Sequence, residues 1–303
     1  MEIRQMHYFV ALYEERSVTR AARRLNVVQP AVSMQLSKLE EEFGQPLFRR
    51  LPKGMTPTHA GDQAYRLFVP ILRDIQNATQ QLTGGAGEIS GSLAVGVIAS
   101  VSSSALSACI ASFHARHPKV NVRATGGFTV ELLDMVTRGQ LDFALINLTD
   151  RRTHLPSIDM LEEELFLIAG PDTPVPNGGP VAASDIAAMD LVIPSRRHGL
   201  RVIIDDAVGS AGVELLPRME FDELNTIEDF VIGTRFVTIL PRIAVQRSLR
   251  AGTLVSYPIR PAITRKIVCA YSPRRPLSQT AELLIEEFRR EMTKLPLAPD
   301  GHA

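Results

Sequence analysis

The sequence predicts an α/β protein led by a small all-helical unit with a hairpin, and three patterns carry that prediction. Apolar residues recur at steps of three and four through the first 43 positions, interrupted by short turns. One long helical stripe follows, at about 60–83, and ends in Thr83-Gly84-Gly85-Ala86-Gly87. From Ser92 onward, short apolar runs alternate with helical stretches, the signature of sheets covered by helices.

The elements follow in order. Ile3, Met6, Phe9, Val10 and Tyr13 give one buried face to a helix over 3–14. Ser17 can cap a second helix that buries Val18, Ala21, Ala22 and Leu25. After a turn at 26–28, Pro30 opens a third helix with Val32, Leu36, Leu39 and Phe43 inward, and Gly44 ends it. Residues 47–58 read as a hairpin with Pro52-Lys53-Gly54 at its tip. In the helix at 60–83, Ala60, Ala64, Leu67, Ile71, Ile75, Ala78 and Leu82 form a near-heptad stripe that a second copy can pair with, and Pro70 bends it. The glycines at 84–87 read as a hinge.

Beyond the hinge, strands are expected at 92–98, 120–124, 143–147 and 166–170, with helices at 104–117 and 130–138. A second set places strands at 191–194, 218–221 and 237–240 around helices at 200–211 and 226–233. A strand at 266–272 and a helix from Ser278 to about Leu295 return toward the first set, before a disordered tail. Parallel sheets in two lobes joined by two crossovers are therefore expected. The domain division is 1–58, then 59–87 as linker and hinge, then 88–303; lobe I takes about 88–162 and 266–295, lobe II about 163–265.

The chain carries zero formal net charge, yet residues 16–54 hold eight basic side chains against three acidic ones. That local excess is the footprint of a phosphate-binding surface. Cys109 and Cys269 lie in apolar stretches with no ligand-like spacing, which argues against a disulfide framework or a metal site and for a reducing cytoplasm. No leader or membrane-spanning run is expected. No phosphate loop, dinucleotide fingerprint or nucleophile–base pair stands out, so the chain does not read as an enzyme, and no catalytic residue is assigned. A two-lobed solute-binding protein, the other rival, would need an export signal and has no use for the N-terminal unit.

Residues 9–50 resemble the DNA-binding domain of the LysR-type transcriptional regulators. The markers are Phe9, SVTRAARRL, Gln29-Pro30-Ala31, Ser33, Leu39-Glu40, Gly44, Leu47-Phe48-Arg49-Arg50 and Thr56, Thr58, Ala60 and Gly61. GSLAVGVIAS, FHARHPKVNVRATGG, LLDMVTRGQLDFALI and TILP resemble that family's effector-binding domain, and PSRRHGLR is similar to its nitrogen-assimilation-control branch. The resemblance implies a winged helix-turn-helix, a long linker helix, and a two-lobed, periplasmic-binding-protein-like (Rossmann-like) effector domain. It also implies promoter DNA as partner, a dimer through helix 60–83, a tetramer beyond it, and RNA polymerase as a further contact.

On that resemblance the helix from Pro30 lies in the major groove. Gln29, Pro30, Ser33 and Gln35 then face base edges, while Lys38, Arg49, Arg50 and Lys53 take phosphates or the minor groove. Two positions depart from the family. Val28 stands where a capping serine is usual, leaving Asn26 or the Gln29 side chain to cap the helix, and Met34 stands where arginine is frequent.

The small-molecule site is expected between the lobes, beyond the strand ends and beside helix N-termini. Its candidate residues are Ser100 and Ser102 in a hydroxyl-rich loop, Thr129 as a helix N-cap, and Ser195 and Arg196. Hydroxyls, free N–H groups and a guanidinium suit a small anion such as a carboxylate. Phe236, in place of a family glycine, is expected to narrow the pocket, and no other cofactor is implied.

Overall fold

The structure, a computed structural model, describes residues 1–51, 54–83, 89–149 and 154–294, with the side chains of 80–83 and 177 outside that description. Lys53, the hinge at 84–87 and the tail therefore lie outside the described residues. The chain divides into two compact units, Met1–Ser92 with Arg138–Gln140, and the remainder.

The first unit is built on α1 (Ile3–Glu15), α2 (Val18–Arg24), α3 (Gln29–Phe43), the hairpin β1 (Phe48–Leu51) and β2 (Gly54–Pro57), and α4 (His59–Thr83). Its core joins Phe9, Leu12, Ala21, Val32, Leu36, Leu39, Leu47, Ala64, Phe68 and Leu72. Phe9 lies 5.4 Å from the rings of both Phe48 and Phe68, so hairpin and α4 close on the same aromatic centre. Ile3 and Phe43, expected inward, are exposed at the rim.

The helix ends follow local chemistry. The Ser17 hydroxyl accepts from the Arg20 N–H at 3.4 Å, and Gly44 closes α3 with φ +65°. The expected substitute cap for α3 is absent. Val28 occupies the cap position with no side-chain bond. Asn26 instead makes the left-handed turn (φ +54°), and the Gln29 amide donates to the Thr19 hydroxyl.

The wing is tied down at three points. Glu40 accepts from the backbone N–H groups of Leu47 (2.7 Å) and Phe48 (3.2 Å), and the Met55 N–H donates to the Arg16 carbonyl at 3.0 Å. The third is Gly61 in the first turn of α4, where a Cβ would stand 2.2 Å from the Leu47 carbonyl oxygen.

The apolar stripe of α4 divides. Ala64 is buried in the core beside Phe68 and Leu72, which the stripe did not include, whereas Leu67 (62% exposed) and Ile71 (41%) face outward.

The second unit contains β3 (Gly91–Val97), α5 (Ala99–Ser104), α6 (Leu106–Arg116), β4 (Val120–Gly126), α7 (Thr129–Thr137), β5 (Phe143–Leu148) and the long β6 (Ser157–Ala169). It continues with β7 (Val181–Ala182), α8 (Ala183–Ala187), β8 (Val192–Pro194), α9 (Gly199–Ser210), β9 (Met219–Phe221), α10 (Leu224–Ile232), β10 (Val237–Pro241), α11 (Gln246–Ala251), β11 (Val255–Tyr271) and α12 (Gln279–Thr293). The main sheet runs β10-β6-β11-β5-β3-β4, with β7 on β11 and a separate β8–β9 pair.

Two corrections to the sequence reading follow. The sheet is mixed: β3–β5 and β8–β9 are parallel, but β11 runs antiparallel to β5 and β6, as β10 does to β6. The second concerns length, because β6 and β11 are far longer than the apolar runs expected at 166–170 and 266–272. Their added residues alternate buried side chains with surface ion pairs such as Glu162–Lys266 (3.2 Å), so no continuous apolar run marks them. The two strands are the crossovers between the lobes.

Ala in place of Gly61 forces the start of α4 away from the wing. The expected cost is about 1–3 kcal/mol of first-unit stability, measured by chemical denaturation, and an unchanged transition would show that the contact yields freely.

Candidate DNA surface and interlobe cleft

In the N-terminal unit, the basic side chains sort into two groups. Arg20 pairs with Glu15 and Arg24 with Glu14, while the Arg16 guanidinium sits 4.2 Å over the Tyr13 ring. Lys38 on α3 and Arg49 and Arg50 on the wing are exposed and make no ion pair among the described residues. Gln29 and Pro30 are exposed at the start of α3, with Ser33 and Gln35 half-buried one and two turns on. Val28 (70% exposed) and Met34 (52%) add apolar surface to the same end of the helix.

In the second unit a cavity of about 500 Å³ opens between the lobes, lined by Ser102 and Ser103 of α5, Gly126 to Phe128, Glu131 of α7, and His198 with Asp222 to Asn225. Beneath it lies a pocket of about 10 Å³, lined among others by Ser100, Thr129, Asn147, Gly199 and Arg265. That is room for roughly one water molecule.

The floor is set by Arg265, fully buried on β11 beside its register partner Glu163 on β6. Its Nε and Nη2 donate to Glu163 Oε1 at 2.9 and 2.6 Å. Its Nη1 donates to Ser100 Oγ (2.9 Å) and Asn147 Oδ1 (3.1 Å). All three nitrogens of this buried cation are engaged, and its charge is met by the Glu163 carboxylate rather than offered to a ligand.

The expected cleft residues distribute unevenly. Ser102 lines the open cavity, and Ser100 is buried on Arg265. The serine-rich stretch is itself the helix α5 rather than a loop. Thr129 is the first residue of α7 and does not cap it. Its hydroxyl is buried and has no hydrogen-bond partner among the described residues. Ser195 donates to Asp222. Arg196 is exposed and lines neither cavity. Phe236 packs on Phe230, at 5.0 Å, in the lobe II core and does not narrow the cleft.

The cation beside the cleft is Arg197. Its Nη2 donates to Glu131 of lobe I at 2.8 Å and its Nη1 to Asp222 of lobe II at 3.0 Å, with the guanidinium 4.2 Å over Phe128. The Ser195 hydroxyl and Arg197 hold the Asp222 carboxyl below the usual carboxylate range. Burial lowers the pKa of His198, whose Nε2–H donates to the Asp222 carbonyl at 2.6 Å. The imidazole is therefore neutral near pH 7, with Nδ1 left as an acceptor. Sequence reasoning missed Phe128, Glu131, Asn147, Glu163, His198, Asp222 and Arg265. Of these, only His198 stood within a stretch already singled out.

Comparison with known proteins decides the family. Residues 3–62 match the bacterial regulatory helix-turn-helix protein, lysR family, and residues 86–293 match the LysR substrate binding domain. The chain belongs to the LysR family of transcriptional regulators.

The DNA-binding transcriptional dual regulator OxyR of Escherichia coli K12 is 29% identical over 306 residues, spanning 100% of this chain and 97% of that protein. The nitrogen assimilation regulatory protein nac of the same organism is 28% identical over 247 residues, spanning 81% and 80%. Near-equal identities do not single out the nitrogen branch. Among solved structures, a full-length OxyR variant from Pseudomonas aeruginosa matches with a TM-score of 0.74 at 24% identity, covering 95% of this chain and 98% of that one. Full-length CbnR complexed with its target DNA matches at 0.69 and 20%, covering 96% and 100%. This LysR-family chain is thus a DNA-binding transcriptional regulator with a two-lobed effector-binding domain.

Two outcomes test the cleft. Arg265→Met leaves Glu163 buried without its partner, at an expected cost of about 3–5 kcal/mol in the second unit's unfolding transition; the Glu163→Leu/Arg265→Met pair loses less. His198 has a folded pKa below its ordinary 6.5, so the unfolded chain takes up the proton first. Its contribution is full above that value and falls as pH drops through it. The melting temperature should decline as pH falls below about 6.5, and His198→Gln should flatten that decline.

Proposed function

We propose that this regulator binds dyad-symmetric promoter DNA in the cytoplasm as a dimer paired through α4, and that a small polar effector in the interlobe cleft adjusts its assembly. The observation that carries the dimer is the outward pair Leu67 and Ile71, an apolar face for which the single chain provides no cover. A symmetric dimer presents two copies of α3, which fit two half-sites. Further pairing through the effector domains gives a tetramer, and RNA polymerase is the natural downstream partner at a promoter.

On the DNA, Gln29, Ser33 and Gln35 supply donors and acceptors for base edges, and the exposed Val28 and Met34 supply apolar contact for thymine methyls. Lys38, Arg49 and Arg50 are held by no carboxylate among the described residues, which leaves them for phosphates.

The effector reading rests on the Thr129 hydroxyl. A buried hydroxyl without a partner costs about 1–3 kcal/mol, and this one faces the pocket beneath the cleft. The anion expected there meets a different charge pattern, since Arg196 lies outside the cleft and Arg265 is already neutralised. Several relatives are named hydrogen peroxide-inducible genes activators. Peroxide acts on accessible thiolates. Here Cys109 and Cys269 are both buried, and burial raises both thiols well above their ordinary range. A reversibly bound ligand fits this chain better than a thiol switch.

Leu67→Asp should yield a monomer by sedimentation and abolish binding to a two-half-site DNA; a dimer that survived would move the interface elsewhere. Arg50→Ala should weaken binding to all sequences and lower the slope of log K against log salt by about 1. Gln29→Ala should instead cost about 1–3 kcal/mol at the specific site alone.

A further inference from the structure

We propose that the cleft takes a ligand with a cationic head, a guanidinium or ammonium, which replaces the Arg197 side chain between Glu131 and Asp222 on the face of Phe128. The proposal rests on reading the cleft as the effector site and names the class of ligand.

The charge of the lining is the first argument. Glu131, Asp222 and Glu223 contribute three carboxylates, with Ser102, Ser103 and Asn225 as neutral polar groups; among the described residues no lysine or arginine lines the cavity, and Arg197 at its edge pairs with two of the three. The one titratable base there, His198, is kept neutral by burial. With Arg197 in place an anion meets the Glu223 carboxylate, and with Arg197 swung away it meets Glu131 and Asp222 as well. A cation meets two charged acceptors and an aromatic face, the combination that binds guanidinium and ammonium groups.

Arg197 supplies the second argument, because it already demonstrates the fit. Its guanidinium bonds one carboxylate from each lobe and lies over Phe128. The side chain is nonetheless 59% exposed. It enters from the turn before α9, on the solvent side of the cage. The protein thus occupies its own cation cage with a displaceable arm.

The third argument is independent of the carboxylates. The Thr129 hydroxyl is nine-tenths buried without a partner, in a pocket that shares Ala99, Gly127, Phe128, His198 and Leu224 with the cavity above. A ligand whose head sits at the cage and which carries a polar group toward the floor supplies the bond this hydroxyl lacks, through the one water for which the lower pocket has room.

Calorimetric titration of the full-length protein at constant ionic strength tests this, with n-butylguanidinium as probe and valerate as its anionic counterpart of similar length. The guanidinium is expected to bind and valerate not. Arg197→Ala and Arg197→Gln empty the cage and should tighten guanidinium binding by about tenfold, by removing the internal competitor. Glu131→Gln should weaken it by a comparable factor. Weaker guanidinium binding in both Arg197 variants overturns the proposal. Valerate binding without guanidinium binding overturns the cationic class and leaves the effector reading standing. If neither solute binds to any of the proteins, both readings fall.

Discussion

The buried pair of Arg265 and Glu163 is the constraint on which the effector domain turns. It sits where β6 and β11 cross from one lobe to the other, with the two residues directly opposed in the strand register. Taking both charges out of water is expensive, and the arrangement is tolerable only because Ser100 and Asn147 accept the remaining guanidinium donors. Those residues come from α5 and β5, so the ion pair fixes lobe I elements to the crossover strands. It also determines what a ligand meets. With Arg265 neutralised from below, the cleft floor presents the hydroxyl of Thr129 rather than a positive charge.

The same logic of satisfied and unsatisfied groups separates the two surfaces of the chain. In the N-terminal unit, Glu15 and Glu14 engage Arg20 and Arg24 of α2, while Lys38 of α3 and Arg49 and Arg50 of the wing make no ion pair among the described residues. In the cleft the carboxylates are in excess, and one arginine ties two of them. A formal net charge of zero conceals an unpaired basic surface and an acid-lined cavity.

What the sequence made legible was whatever one element decides by itself. The periodicity of α1 to α3, the Ser17 cap and the glycine ending α3 are local, and they appear where the spacing places them. Residues that act through distant partners stayed hidden. Arg265 reads as the polar edge of an apolar strand, because its partner Glu163 lies 102 residues away. Asp222 and Glu131 read as ordinary surface acids until Arg197 joins them. Arg196 and Arg197 are adjacent in an irregular turn, and nothing local says which one points at the opposite lobe. The stripe on α4 misled differently. A single face was expected, but Phe68 and Leu72 build a second one toward the core, and Leu67 and Ile71 remain outside it.

Occupying the Arg197 cage is not enough to switch a regulator. A ligand shifts a conformational equilibrium only by its differential affinity for the two states. A guanidinium that reproduces the bonds of Arg197 leaves the balance between lobes where it was, since one tie has replaced another. The shift has to come from contacts Arg197 does not make, and two groups are available: the Glu223 carboxylate on the cleft wall and the Thr129 hydroxyl beneath it. A bond to a buried, unpartnered hydroxyl is worth about 1–3 kcal/mol, enough for roughly a five- to 150-fold change in population. On the proposed reading, Thr129 is therefore where ligand identity would become conformational work: the cage would select for charge, and the floor beneath it would decide whether binding has a consequence.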